Sequence, residues 1–290
     1  MERRAYERSV SDPDDAPHSP LSLYASTHPL SDLLLIGRTP VREALERRDA
    51  RLEKLYLPRE AKGLLADLHR LAREAGVPVQ FVPPPKLDAL ARGGHHQGVV
   101  AVLSGVAYRE AEQMLDEIAG DYDALLARRP LLVALDGLED PHNVGAVLRS
   151  AVGAGAAAVL VPAQGTAPIG AVALKASAGT ALHLPIARVS SLVRALEGLK
   201  ERGYTVVGAA GEGVTLHTAF DWTGPVVLVV GSEGRGLSPA VRRACDALVR
   251  IAMPGPAESL NASVAAGVLL FEAVRQRQAA SGTDAGSVPR

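Results

Sequence analysis

From Pro130 onward the chain repeats one pattern: a short apolar run, a loop, a helix, and then the next apolar run. The runs LLVAL (131–135), AAVLVP (157–162) and VVLVV (226–230) have no alternation of apolar and polar side chains. A strand with one wet face alternates, whereas a strand apolar throughout must be covered on both faces. That is the condition of a parallel sheet between two helical layers. Further strands are read in HLPIARV, YTVVGAAG and ALVRIAMP, and helices in PHNVGAVLRSAVGAG, IGAVALKASAG, SLVRALEGLKERG, PAVRRACD and SLNASVAAGVLLFEAVRQRQ. There is no internal repeat.

A smaller block precedes this one. DLLLIG, KLYLP, VPVQFVP and GVVAVLS read as strands. In TPVREALERR, Val41, Ala44 and Leu45 fall at helical spacing behind a Thr39-Pro40 start, GLLADLHRLAREAG is a helix closed by Gly76, and PKLDALARGG is a short helix. This predicts a small α/β layered domain over 31–107, a helical linker over 108–129 and the larger domain over 130–278. Residues 1–30, rich in Ser, Pro and Asp, and residues 279–290 read as disordered tails.

The chain has 290 residues, 31 Lys and Arg against 32 Asp and Glu, and a net charge of −1. A globally basic nucleic-acid coat is excluded, though a local basic patch is not. Cys245 is the single cysteine, so no intrachain disulfide and no Cys-based zinc site can form, and no metal is expected. A reducing, cytoplasmic setting follows. No apolar run reaches the ~18 residues of a membrane span, and no signal core is present. At 3% aromatics, recognition of RNA by stacking many bases is not expected.

Three segments depart from plain strand, turn and helix, each at the C-terminal end of an apolar strand, where open parallel sheets bind ligands. The first is LEDPHNVG (138–145) with Arg149. Asn143 and Arg149 are six residues apart, nearly two turns if a helix starts near Asn143, but Asn143 equally suits an N-cap and Arg149 a surface position. The second is GSEGRGLS (231–238), in which Gly231, Gly234 and Gly236 free the backbone to approach a ligand. It lacks the order of a dinucleotide fingerprint and the Gly-Lys-Ser/Thr of a phosphate loop, which removes a nicotinamide-dependent oxidoreductase. The third is IAMPGPAESLNAS (251–263), where Ser259 and Asn261 stand at a helix start as caps or as ligand contacts. His95-His96-Gln97 reads as a polar turn, with no acidic partner at ligand spacing. Lys175 and Ser177 read as a helix end or as substrate contacts, Cys245 as a packing residue, and Arg47-Arg48 and Arg242-Arg243 as solvated helix faces.

Taken in order and spacing, 138–162, 226–238 and 249–273 resemble the SpoU (TrmH-like) family of RNA 2′-O-ribose methyltransferases in the SPOUT superfamily. IGRTPVREALE (36–46) and HHQGVVAVLS (95–104) resemble that family's L30e-like RNA substrate-binding domain. The likeness covers about residues 33–277. It implies a SPOUT-type parallel sheet whose last segments, 205–275, thread into a deep trefoil knot. It implies S-adenosylmethionine as methyl donor, held around Gly231, Ile251 and Leu260 with Gly234, Gly236 and Met253 beside them. It assigns catalytic roles to Arg149, Asn143, Glu233, Ser259 and Asn261, and it implies a homodimer. The two-domain layout most resembles enzymes that methylate a guanosine of 23S ribosomal RNA. A transfer RNA methyltransferase of the same fold is the nearer alternative, and a non-catalytic RNA-binding ribosome-assembly protein is one of another class. The family's arginine is expected to be essential, although an arginine pKa above about 12 makes it a poor proton acceptor.

Overall fold

The computed structural model describes residues 34–49, 51–91 and 93–282. The tail expected over 1–30 lies outside them. The C-terminal helix runs on to Ala280, two residues into the stretch read as a tail, and 283–290 lie outside the described residues.

The first domain is a four-stranded sheet of β1 (Leu34–Ile36), β2 (Leu52–Pro58), β3 (Val79–Val82) and β4 (Val100–Leu103) in the order β1-β4-β2-β3. β4 runs antiparallel to both neighbours, and β2 and β3 are parallel. Helices α1 (Arg38–Glu46) and α2 (Leu64–Glu74) cover one face, burying Val41, Leu45, Leu65 and Leu68 against Leu55, Leu57 and Ala101. α3 (Pro84–Ala91) covers the other with Leu87 against Val82 and Val100. α1 begins at Arg38, one residue before the expected Thr39-Pro40 start, because Gly37 (φ 99) turns the chain there without a side-chain cap. α2 ends as its sequence reads, with Gly76 in the left-handed region (φ 68).

The stretch expected as a linker forms two helices, α4 (Ala111–Ile118) and α5 (Tyr122–Arg128), broken where Asp121 accepts from the Ala124 amide at 2.7 Å as a new N-cap; both pack on the larger sheet.

In the second domain, β5 (Leu131–Asp136), α6 (Pro141–Gly153), β6 (Ala158–Pro162), α7 (Ala171–Ala176), a 3-10 turn over Thr180–His183, β7 (Ile186–Val189), α8 (Leu192–Glu201), β8 (Thr205–Ala209), β9 (Thr215–Leu216), β10 (Val226–Gly231), α9 (Pro239–Ala244), β11 (Ala247–Arg250) and α10 (Ala262–Ala280) follow in turn. The strands form one parallel sheet in the order β7-β6-β5-β10-β8-β11-β9. The two-residue β9 has no counterpart in the sequence reading; it is too short to leave a pattern. Leu131, Val133, Leu135, Val226, Leu228 and Val230 pack toward α6 and α10. Leu132, Ala134, Val227 and Val229 pack toward α4, α5, α8 and α9. All ten are 2% exposed or less, which is why these runs do not alternate. Each such Val or Leu contributes about 1.5–3 kcal/mol of burial.

Gly145 lets α6 lie directly on α7. A Cβ there would stand 2.3 Å from the Ala173 carbonyl oxygen. Among the described residues, no helix is long and apolar enough to cross a membrane.

Candidate active site

Gly231 of β10 stands opposite Asp136 of β5, so the two strands end level. Their loops, with the 251–261 segment after β11, leave from one edge of the sheet. The loop after β10, the 209–212 turn after β8 and the 251–261 segment enclose a cavity of about 420 Å³, lined by Gly231, Glu233, Gly234, Gly236, Ile251, Met253, Ser259 and Leu260 among others. All six residues expected to hold a donor therefore meet there, with Glu233 and Ser259 of the expected catalytic set.

The glycine loop closes on itself. Ser232 and Gly236 exchange backbone hydrogen bonds of 3.1 and 2.9 Å, with Gly236 at φ 64. The returning backbone lies so close that a Cβ on Gly231 would sit 2.3 Å from the Gly236 carbonyl carbon. Asp136 holds the loop's far end by accepting from the Ser238 amide at 2.6 Å. The sequence reading missed Asp136; its signal was a carboxylate closing an otherwise apolar strand just before Gly137. Glu139 and Arg235 pair at 2.6 Å across the two loops, both well exposed.

Asn143 and Asn261 do not line the cavity but are tied to its wall. The Asn143 amide donates to Glu233 and to Asp140, the latter at 3.3 Å, and its oxygen accepts from Asn261 at 3.0 Å. The Asn261 oxygen caps α10, accepting from the Ser263 amide at 2.9 Å and the Ser263 hydroxyl at 2.6 Å. The expected choice between cap and site contact is thus resolved unevenly. Asn261 caps and also reaches Asn143. Ser259 lies before the helix and caps nothing. α6 is capped by Asp140, which accepts from the His142 amide at 2.9 Å, so Asn143 is not a cap and its side chain is free for the bridge. One side-chain network thereby joins all three segments.

Arg149 is on α6, exposed, outside the cavity lining, and without a hydrogen bond or ion pair among the described residues. Arg149 thus takes the surface position that the sequence also allowed, on the face of α6 open to solvent. Ser177 is fully buried and donates to the Leu174 carbonyl at 2.8 Å, so its hydroxyl serves the helix end. His96 has an acidic neighbour after all, with Asp88 Oδ1 2.9 Å from its Nε2, because α3 brings position 88 back to the turn.

The cavity suits a donor with an adenosine moiety. Its volume is in the range of small-ligand sites, its wall offers apolar Val230, Ile251, Met253, Leu260 and Leu269, and its backbone approach requires glycine at 231.

Comparison with known proteins agrees with this geometry. Residues 130–271 match the SpoU rRNA Methylase family, and residues 34–109 match the RNA 2′-O ribose methyltransferase substrate binding family. A Mycolicibacterium vanbaalenii protein named as an uncharacterized tRNA/rRNA methyltransferase is 42% identical over 249 residues, covering 85% of this chain and 77% of its own. A Bacillus subtilis protein, YacO, named for the TrmH family of tRNA/rRNA methyltransferases, is 38% identical, covering 84% and 95%. The crystal structure of the SpoU methyltransferase AviRb from Streptomyces viridochromogenes in complex with AdoMet is 30% identical, with a TM-score of 0.53 over 85% of this chain and 90% of that one. A SPOUT-type parallel sheet with a cofactor-sized cavity at its strand ends, behind a substrate-binding domain, defines an RNA-modifying methyltransferase. The chain belongs to the SpoU/TrmH family of RNA 2′-O-ribose methyltransferases.

Proposed function

We propose that this protein methylates the ribose 2′-hydroxyl of a guanosine in 23S ribosomal RNA, with S-adenosylmethionine as donor. The observation that carries the reading is the cavity at the ends of β10 and β11, whose wall is bonded through Glu233, Asn143 and Asn261. The SpoU rRNA methylase match and the separate substrate-binding domain favour ribosomal over transfer RNA.

When bound, the donor supplies an electrophilic methyl on a positive sulfur. The chain's residues supply position, and ideal alignment of two reactants contributes about 7–11 kcal/mol. Gly231 and Gly236 bring backbone against the donor, while Ile251, Met253 and Leu260 exclude water. Glu233 is held by Asn143, and Ser259 stands at the cavity, its hydroxyl without a hydrogen bond among the described residues. Arg149 carries a fork of N–H donors and no acceptor, so it clamps an RNA phosphate and orients the hydroxyl, whose proton passes to phosphate or water.

Two finer features belong to the same reading. Residues 205–275 thread as a trefoil knot, supported by the insertion of β10 between β5 and β8 while β11 lies beyond β8. An experimental trace in which 247–275 passes outside the preceding loop overturns this. A second copy covers α10, where Val264, Val268 and Phe271 share a face and are 51%, 37% and 52% exposed. Sedimentation of the Phe271→Glu variant reads this out, with loss of a dimer expected and an unchanged mass against it.

The deciding experiment maps 2′-O-methyl sites on ribosomal and transfer RNA from cells with and without the gene. Loss of one 23S guanosine mark is expected; loss of a transfer RNA mark instead, or of none, overturns the proposal.

A further inference from the structure

One guanidinium reaches from the second domain into the first. Arg188 of β7 donates through Nη1 to the Glu53 carbonyl at 3.0 Å and through Nη2 to the Leu52 carbonyl at 2.8 Å, both at the start of β2. A bulge there leaves Glu53 out of the pairing between β2 and β4. The guanidinium also lies 4.7 Å from the centre of the Tyr108 ring and 3.7 Å from the Glu53 carboxylate. That carboxylate accepts from the Tyr108 hydroxyl at 2.6 Å. Arg188 and Glu53 side chains are each only 12% exposed. Burial first, and then the Glu53 charge, push the Tyr108 hydroxyl far above its usual range, so it remains a donor.

The connecting strand is stitched to the second domain on both sides of this clamp. The Ser104 hydroxyl and the Gly105 amide both donate to the Ile169 carbonyl, at 3.2 and 2.8 Å. A Cβ on Gly105 would stand 2.3 Å from Leu174. Arg109 pairs in parallel with Ala187, extending the large sheet.

Domains joined by a connector move relative to one another unless something directional prevents it. Apolar packing would serve adhesion as well as a buried ion cluster, and a fork of N–H donors on two carbonyls is satisfied at one angle only. We infer that Arg188 is a positioning residue that locks the substrate-binding domain at one orientation to the methyl-transfer cavity, so that RNA held by the first domain meets the second at a fixed distance. The inference rests on the proposed reading that the first domain selects RNA.

The test uses the full chain carrying Arg188→Ala, Arg188→Lys or Tyr108→Phe. Small-angle scattering and amide exchange over 104–109 report the clamp, and S-adenosylmethionine Kd, RNA KM and kcat report its use. Arg188→Ala is expected to enlarge the radius of gyration and speed exchange. If the competent orientation falls to a tenth, RNA KM rises about tenfold while donor Kd and kcat hold within about twofold. Arg188→Lys keeps the charge over the ring but brings one nitrogen to two carbonyls, and falls between. Unchanged scattering and exchange overturns the proposal. So does a changed shape with unchanged KM, and so does a loss of donor binding parallel to turnover, the mark of general destabilisation. Should Arg188→Ala not fold, Tyr108→Phe must raise KM in the same direction, and no rise counts against the clamp. Wild-type protein that methylates no RNA refutes the functional reading, while scattering and exchange still decide the clamp.

Discussion

Asn261 donates to Asn143 at 3.0 Å across 118 residues of chain, and Asn143 passes its own amide on to Glu233. The helix that follows β11 and the helix that follows β5 are thereby fastened to the loop that follows β10. Hydrogen bonds to a charged group contribute about 1.5–3 kcal/mol, so Asn143→Ala should lower turnover by about 10–100-fold. Glu233 is exposed, so the unfolding midpoint should move little. Steady-state kinetics beside a thermal melt checks this; a melt that falls as far as turnover would make Asn143 a scaffold residue.

Arg149→Ala should leave donor affinity intact and stability within about 0.5 kcal/mol, because an exposed side chain without partners among the described residues holds little together. Turnover should fall by at least about 10²-fold, the usual loss when a reacting group is misplaced. Arg149→Lys should not rescue, since a single ammonium cannot fork a phosphate. Normal turnover in the alanine variant removes this residue from the mechanism.

Gly231→Ala must push back the Gly236 backbone, 2.3 Å from the new carbon. Overpacking of about 1–3 kcal/mol predicts a donor Kd raised by about 5–100-fold in a calorimetric titration. Gly198→Ala, on α8 and outside the cavity lining, is the control: its added carbon meets nothing within 4 Å, so the affinity should hold.

Glu272 is held at about 2, below its ordinary 4.5, first by the hydrogen bonds from Arg275, both 2.8 Å, and then by Gln276. A carboxyl depressed on folding adds stability that is complete above its unfolded value and is lost as pH falls from 4.5 toward 2. Glu272→Gln should therefore cost about 1–2 kcal/mol at neutral pH and flatten the acid limb of a urea-midpoint profile. Parallel acid limbs for the two proteins would contradict the assignment.

Much of this was legible in the chain. Unbroken apolar runs such as Val226–Val230 announced a sheet buried on both faces, and the glycines at 231 and 236 announced a backbone in close approach. The order of the strands was not, since nothing local in VVLVV says that it lies between residues 131–136 and 205–209. Nor was the bridge from Asn143 to Glu233, because an asparagine near a helix start looks like a cap until Asp140 is seen to hold that post. For Arg149 the sequence left a surface position and a site position both open; its apolar neighbours Val147, Leu148 and Ala151 face the core while it faces solvent. Arg188 gave no signal, since its partners are two main-chain oxygens contributed by a strand 135 residues earlier.

Val226 lies beside both Leu131 and Thr205, so the middle of the large sheet is filled by a strand made after both its neighbours. A ribosome releasing this chain in order leaves the edges of β5 and β8 without their partner until residue 231 emerges, and bare edges invite pairing with other chains. Pairing across so much sequence is also slow. The glycine turn hangs from the end of that late strand, so a half-made polypeptide has nowhere to lodge a ligand. Competence to bind arrives together with the closing of the core.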